Sequence, residues 1–288
     1  MVNPNALQRR AEIIRAIRRF FDAEGFVEVT TPVRIAAPAP EPHIDCPPVQ
    51  GTDGAPVTYL RASPELEMKR LLAAGMDLIY QIGPCFREGE RGERHHPEFT
   101  MIEWYRRAAD YRAILTDLER LVMALREGVG AADFTVLAVR DAYREFAGWD
   151  PWTDWDQDRF DVDMALKVEP ALKTRGMVFL VDYPPAACSL ARLRGAGAEA
   201  VAERWEFYWD GIELANCFTE LCDGDEQRRR FEAAKAERAA LGESDYPIDE
   251  GFLAALPRIG SAAGVALGVD RLVMLLCGEN DIHAVMAN

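Results

Sequence analysis

The sequence predicts an α+β protein assembled from antiparallel strand pairs and amphipathic helices, and four stretches predict it. The segment 78–106 runs as strand, charged loop EGERGERHHP, and returning strand EFTMIEWYR. A second pair, RWEFYW and IELANCFTEL, flanks Asp210-Gly211, a strong two-residue hairpin signal. Residues 5–24 and 111–127 carry apolar side chains at helical spacing.

In the first helix these are Leu7, Ile13, Ile14, Ile17, Phe20 and Phe21. Gly25 punctuates it, and 26–31 alternates as a strand that stops before Pro32. Pro38, Pro40, Pro42, Pro47 and Pro48 make 36–56 a loop with short extended pieces. Ser63 can cap a helix starting at Pro64, where Glu65 suits the positive helix end and Leu66, Met68, Leu71 and Leu72 form the apolar side. The strand 78–87 is expected to be interrupted around Gly83-Pro84. Ile114, Leu118, Leu121, Val122 and Leu125 face inward on the second long helix, 149–163 is rich in Trp and Asp without a readable period, and 177–181 is a short apolar strand.

The 288 residues suffice for one large domain or two small ones, and 49% hydrophobic with 28% charged residues permits a sizeable core. No apolar run reaches the ~18 residues of a membrane span, and the N-terminus lacks a signal-peptide pattern. The six cysteines form no CxxC pair and read as reduced thiols. A zinc site from Cys85, His95 and His96 has the wrong spacing. Lys plus Arg is 33 and Asp plus Glu is 48, a net −15, which weighs against nucleic acid as a partner. The Arg-rich stretch 227–238 has mixed charge and reads as a solvated face.

Across the Asp210-Gly211 turn, Trp209 should pair with Ile212 and Tyr208 with Glu213. Trp205, Phe207 and Trp209 then share one face, and Glu206 and Glu213 become diagonal neighbours roughly 7 Å apart at the backbone. Two carboxylates so placed repel unless a cation lies between them. Mg²⁺, which takes one or two carboxylates plus phosphate oxygens, suits the pair, although for the pair taken alone a solvated polar strand face is the favoured reading. Asn216, Phe218 and Glu220 share a parity that excludes Glu213, so a bulge is predicted between them if all are to face one site. Such a set suits an ammonium-terminated substrate. Downstream, GSAAGVALGVDR at 260–271 leads into an apolar helix, an arrangement that lets backbone and helix N-terminus approach phosphate.

Together these stretches resemble the three motifs of the class II aminoacyl-tRNA synthetases: helix and strand to Pro32, the strand–loop–strand segment 86–106, and GVALGVDR. The resemblance covers nearly the whole chain and is weakest over 129–173. ERWEFYWDGIELANCFTEL supports the same superfamily, and a chain consisting only of this core, with EWYR after the HxPEF element and GVALGVDR at the third motif, resembles the truncated, lysyl-tRNA synthetase-like branch that attaches (R)-β-lysine to a lysine side chain of elongation factor P. It implies a class II catalytic core with a mainly antiparallel sheet flanked by helices, one domain over 1–288, and no N-terminal OB-fold. It also implies ATP and Mg²⁺ as cofactors, lysine or (R)-β-lysine and elongation factor P as partners, a homodimer, a cytoplasmic location, and neither tRNA nor membrane as partner. Arg87 would grip the substrate carboxylate and α-phosphate and Arg271 the γ-phosphate side, as the catalytic residues. Phe99 would stack on adenine, with His95 near the phosphates. Glu206 and Glu213 would hold the metal, and Asn216 would orient the carboxylate. Glu220 and Tyr105 would bind the distal ammonium beside the aromatic wall of Phe218, with Glu65 and Glu103 near the amino groups. Ala266 stands where the lysyl-tRNA synthetases have glycine, a change associated with β-lysine. The sequence departs from the family at Gly89, where the motif glutamate is missing and Glu88 or Glu90 would substitute, and at Cys217 and His96. Alternatives are a lysyl-tRNA synthetase-like enzyme charging tRNA and a lysine- or ATP-binding regulator without turnover.

Overall fold

The computed structural model describes residues 3–52, 54–126 and 133–287. They form two compact units: Met1–Arg107 with Leu221–Gly260 and Ala266–Asn288, and Ala108–Glu220 with Ser261–Val265.

The first unit opens with α1 (Pro4–Ala23), whose first N–H groups are met by the Asn3 side chain. Ile13, Ile17 and Phe21, four residues apart, are buried on one stripe. Phe21 stacks on Tyr80 at 4.8 Å and meets Trp104 at 5.1 Å. The strand expected over 26–31 shortens to β1 (Val27–Glu28), which pairs in parallel with Ile79 and Tyr80. Beyond it side chains replace the ladder: Thr31 N–H donates to Gln81 Oε1, and the Arg61 guanidinium donates to the Thr31 and Pro32 carbonyls. The proline-rich loop holds a small separate sheet, β2 (Arg34–Ile35), β3 (Pro48–Val49) and β4 (Thr58–Leu60), ordered β2-β4-β3. Helix α2 (Glu65–Ala73) follows, with the Glu65 N–H donating to Ser63 Oγ at 3.0 Å.

Strands β5 (Leu78–Phe86) and β6 (Glu98–Arg107) pair antiparallel without interruption, Gly83 opposite Met101 and Pro84 opposite Thr100. The expected break at Gly83-Pro84 is absent. Gly83 serves the buried Arg61 instead: a Cβ there would lie 2.8 Å from the guanidinium.

The second unit begins with α3 (Tyr111–Leu125), N-capped by Asp110 and buried along Ile114, Leu118, Leu121, Val122 and Leu125; its expected end at Glu127 lies outside the described residues. After β7 (Phe134–Ala138) come α4 (Val139–Ala142), α5 (Gln157–Asp163) and α6 (Glu169–Leu172). Here the Trp- and Asp-rich stretch resolves: the Trp149 indole donates to Asp163 at 2.8 Å, with the Arg159 guanidinium 4.2 Å above its ring. Strands β8 (Met177–Tyr183), β9 (Leu193–Arg194), β10 (Val201–Trp209) and β11 (Ile212–Thr219) complete the unit. β10 pairs antiparallel with β8, β9 and β11, and β7 joins β8 in parallel. Phe179 lies 5.2 Å from Trp205 and 4.8 Å from Phe207, filling one face of these strands.

Helices α7 (Gly224–Leu241) and α8 (Glu250–Ala255) belong to the first unit, and β12 (Ala262–Gly268) leads into α9 (Val269–Leu276). Asp270 at the start of α9 pairs with Arg10 of α1 and accepts the Thr100 N–H of β6 at 2.6 Å. One buried carboxylate thereby joins the first helix, the returning strand and the last helix. The fold is α+β, mainly antiparallel strands flanked by helices, as the sequence predicts. Among the described residues no helix is long and apolar enough to cross a membrane.

Candidate active site

In the first unit the β5–β6 pair presents two groups of side chains. Strand alternation puts Phe99, Met101, Glu103 and Tyr105 on one face of β6, opposite Ile102 and Trp104. At the loop end, the Arg87 guanidinium lies 5.2 Å over the Phe99 ring and 3.4 Å from Glu90. Glu90 is 3.9 Å from the His95 imidazole, and His95 Nε2 faces the Arg271 guanidinium at 2.6 Å. Arg271 also donates to the Arg94 carbonyl at 3.1 Å. Burial, then the Arg271 charge, lowers the His95 pKa, so the neutral ring takes a hydrogen bond from the guanidinium. The structure therefore gathers Arg87, Glu90, His95, Phe99 and Arg271 from two elements far apart in sequence. Gly89 sits at φ +76° in this loop, a conformation that favours glycine. Glu88 is exposed, and its side chain makes no hydrogen bond or ion pair among the described residues. Two arginines and an aromatic ring around a glycine-bearing turn can take a phosphate chain and a flat base.

At the other end of β6, Glu103 is buried, accepting from Ser63 at 2.5 Å and Tyr105 at 2.8 Å. Glu65 at the start of α2 holds the fully buried Lys69 ammonium at 2.5 Å. Burial, and next the Glu65 charge, push the Glu103 carboxyl up to about 7, against the two hydroxyls that favour its ionised form. A carboxyl raised in the folded state stabilises most below its unfolded pKa, and that contribution is lost as pH rises through the folded value. Glu103 therefore favours folding at pH 5 relative to pH 8, by about 3 kcal/mol at most. Glu103→Gln is expected to flatten the loss of melting temperature between pH 5 and 8; wild-type and variant melts with parallel pH dependence would rule this out. An ammonium brought here would favour the ionised form.

In the second unit, Asp210 and Gly211 both have positive φ, +49° and +74°, so the predicted hairpin turn forms, with Trp209 opposite Ile212 and Tyr208 opposite Glu213. The register then jumps from Glu213 opposite Tyr208 to Ala215 opposite Phe207, bulging Leu214. That is the predicted break in alternation. It brings Glu213 to the face shared by Asn216 and Phe218, which pair with Glu206 and Arg204. Glu206 accepts from Tyr183 at 2.5 Å, Tyr208 at 2.7 Å and Arg204 at 2.5 Å. Arg204 also donates to Asn216 Oδ1 at 3.2 Å and lies over Tyr183 and Phe218. Sequence reasoning missed it, although it shares the parity of Glu206 in RWEFYW. Beside Glu206, burial and the carboxylate push both tyrosines well above their ordinary pKa. Glu220 is buried just beyond β11, its N–H on the Ala262 carbonyl at 2.9 Å. Cys217 pairs with Trp205, on the opposite face from Asn216, so its thiol enters the core.

Among the described residues no group of three or more His, Cys, Asp or Glu could hold a metal by itself. Glu206 and Glu213 are hard oxygen donors, two per site at most, which fits Mg²⁺ completing its shell with phosphate and water. In β12, Ala266 and Gly268 are partly exposed between buried neighbours.

A hairpin that carries arginine and a stacking ring, with an arginine at the head of a glycine-rich strand–helix unit, defines a class II synthetase catalytic fold. The chain belongs to the class II tRNA synthetases (D, K and N), whose family model matches residues 2–287. It is similar to the elongation factor P--(R)-beta-lysine ligase of Proteus mirabilis, 38% identical, with 98% of this chain and 94% of that protein covered. Ligases of the same name from Photorhabdus laumondii and Vibrio cholerae are each 37% identical over the same shares.

Proposed function

We propose that the chain is an AMP-forming ligase that activates (R)-β-lysine, or lysine, with ATP and transfers it to a lysine side chain of elongation factor P. The observation that carries this reading is the near full-length identity to ligases of that name. The gathered Arg87, Phe99, His95 and Arg271 support it, because adenylate formation needs no protein nucleophile. Charge neutralisation and alignment suffice. The substrate carboxylate attacks the α-phosphorus and pyrophosphate leaves, with Arg87 on the carboxylate and α-phosphate and Arg271 toward the γ-phosphate. Phe99 stacks on adenine. Glu88, unlike Glu90 beside Arg87, is left to meet the adenine amino group. Glu65, Glu103 and Tyr105 receive amino groups. Asn216 orients the carboxylate, Phe218 walls the methylenes, and Glu220 takes the distal ammonium. Mg²⁺, held by Glu206 and Glu213, supplies charge neutralisation at the phosphates when bound.

We place the enzyme in the cytoplasm as a homodimer through α1 and β1, where Val27 is exposed. Its net −15 disfavours tRNA as acceptor.

The test is intact mass spectrometry of unmodified elongation factor P incubated with the protein, MgATP and (R)-β-lysine. A gain of one lysyl mass is expected. No gain with active lysine-dependent pyrophosphate exchange would mean another acceptor; neither would mean a binding protein.

A further inference from the structure

We infer that Arg238 is a positioning residue for the nucleotide loop, holding the segment 41–46 against the backbone of Glu88. The inference rests on the nucleotide role proposed above for residues 87–99.

The charge pattern of 227–238 reads as a solvated helix face, but the structure buries Gln227, Phe231 and, at the last residue, a charged side chain. Arg238 is 1% exposed. Its Nη1 donates to the carbonyls of Glu41 at 2.6 Å and Ile44 at 3.1 Å, and its Nε to that of Ser244 at 3.0 Å. Its Nη2 meets the Asp45 carboxylate at 2.5 Å, and the guanidinium lies 4.4 Å over the Tyr246 ring. Tyr246 closes the cluster, donating its hydroxyl to Asp45 at 3.2 Å and accepting the Cys46 N–H at 2.9 Å. Only a planar fork with several donors reaches this many acceptors at once, so lysine is no substitute.

What this cluster holds is the point where the nucleotide loop leaves its strand. The β5–β6 ladder ends at Phe86 opposite Glu98, and the Arg87 N–H still reaches the Pro97 carbonyl at 2.9 Å. The next N–H, that of Glu88, has no partner across the hairpin. It donates to the Asp45 carbonyl at 2.8 Å. The loop closes on itself again only at Gly92 and His95. Between these two points lie Glu88, Gly89, Glu90 and Arg91, and the Asp45 carbonyl supports that stretch from outside. Arg238 and Tyr246 fix Asp45 from the side chain, and Asp45 fixes Glu88 from the backbone. A loosened segment 41–46 therefore loosens the nucleotide loop while leaving Glu65, Glu103 and Tyr105 in place.

The experiment measures pyrophosphate exchange and, separately, ATP binding by calorimetry without amino acid. Arg238→Met is expected to raise the KM and Kd for ATP about tenfold while the KM for lysine stays within about twofold. Arg238→Lys should recover only part of the loss. Tyr246→Phe, a milder loosening, should raise the ATP constants about threefold, and it decides the question if Arg238→Met does not fold. Folded variants with unchanged ATP constants, or with ATP and lysine constants raised alike, would overturn the inference. Wild-type protein that binds ATP without lysine-dependent exchange would sink the proposed activity, and the ATP Kd would still judge Arg238. Wild-type protein that binds no ATP would overturn both.

Discussion

Arg271→Ala is expected to lower lysine-dependent pyrophosphate exchange by about 100- to 1000-fold, with the fold intact. Adenylate formation concentrates negative charge as the carboxylate approaches a phosphate and pyrophosphate departs. A preorganised cation there acts mainly on the transition state. In the role proposed for it Arg271 is such a cation, its guanidinium held by the Arg94 carbonyl at 3.1 Å and the His95 ring at 2.6 Å. Partly exposed in the structure, it contributes little to the core, so the melting temperature should change only slightly, within about 0.5 kcal/mol of stability. Arg271→Lys keeps charge but loses the fork and should recover only part of the rate. A second readout is internal to the site. The Arg271 charge is one of the causes lowering the His95 pKa, so Arg271→Ala should move that pKa upward in an NMR titration. Exchange retained at wild-type rate would remove Arg271 from the chemistry.

Local signals carried far in this chain. Asp210-Gly211 announced the turn, and the turn fixed the pairing of Tyr208 with Glu213. The clash of parity between Glu213 and Asn216 demanded a bulge, which the structure has at Leu214. Alternation alone put Phe99, Glu103 and Tyr105 on one face. What stayed hidden was pairing across long sequence separations. Ser63 meets Glu103 from 40 residues away and Arg238 meets Asp45 from 193, and no period or turn residue records either contact. Gly83-Pro84 misled because a glycine next to a proline normally breaks a strand; its cause, the Arg61 side chain packed on Gly83, comes from another element. The short β1 misled for the same reason, since Gln81 and Arg61 take over the backbone groups that a longer ladder would have used.

The largest stability effect is expected at Glu206. It is 8% exposed and accepts from Arg204, Tyr183 and Tyr208. Glu206→Ala leaves a mostly buried guanidinium without its carboxylate, strands the buried Tyr183 hydroxyl, and leaves that of Tyr208 to its longer bond with Glu169 at 3.3 Å. Breaking one side of such a pair costs about 3–5 kcal/mol, which for a chain of this size lowers the melting temperature by roughly 6–20 °C. Glu206→Gln keeps an acceptor oxygen for the tyrosines and should cost less. The two proposed roles of Glu206, anchor for Arg204 and ligand for Mg²⁺, separate in a double variant. Arg204→Met with Glu206→Gln removes the stranded charge, so it should melt above Glu206→Ala, because a buried ion pair replaced on both sides loses little. Its exchange activity should nevertheless stay low and demand more Mg²⁺, since the metal carboxylate is still missing. Arg204→Met alone makes the converse case: it strands the carboxylate, and Mg²⁺ should then stabilise it against heat more than it stabilises the wild type. Should the double variant melt no higher than Glu206→Ala, neither the stranded guanidinium nor the tyrosine hydroxyls, whose acceptor oxygen glutamine keeps, are the source of the cost.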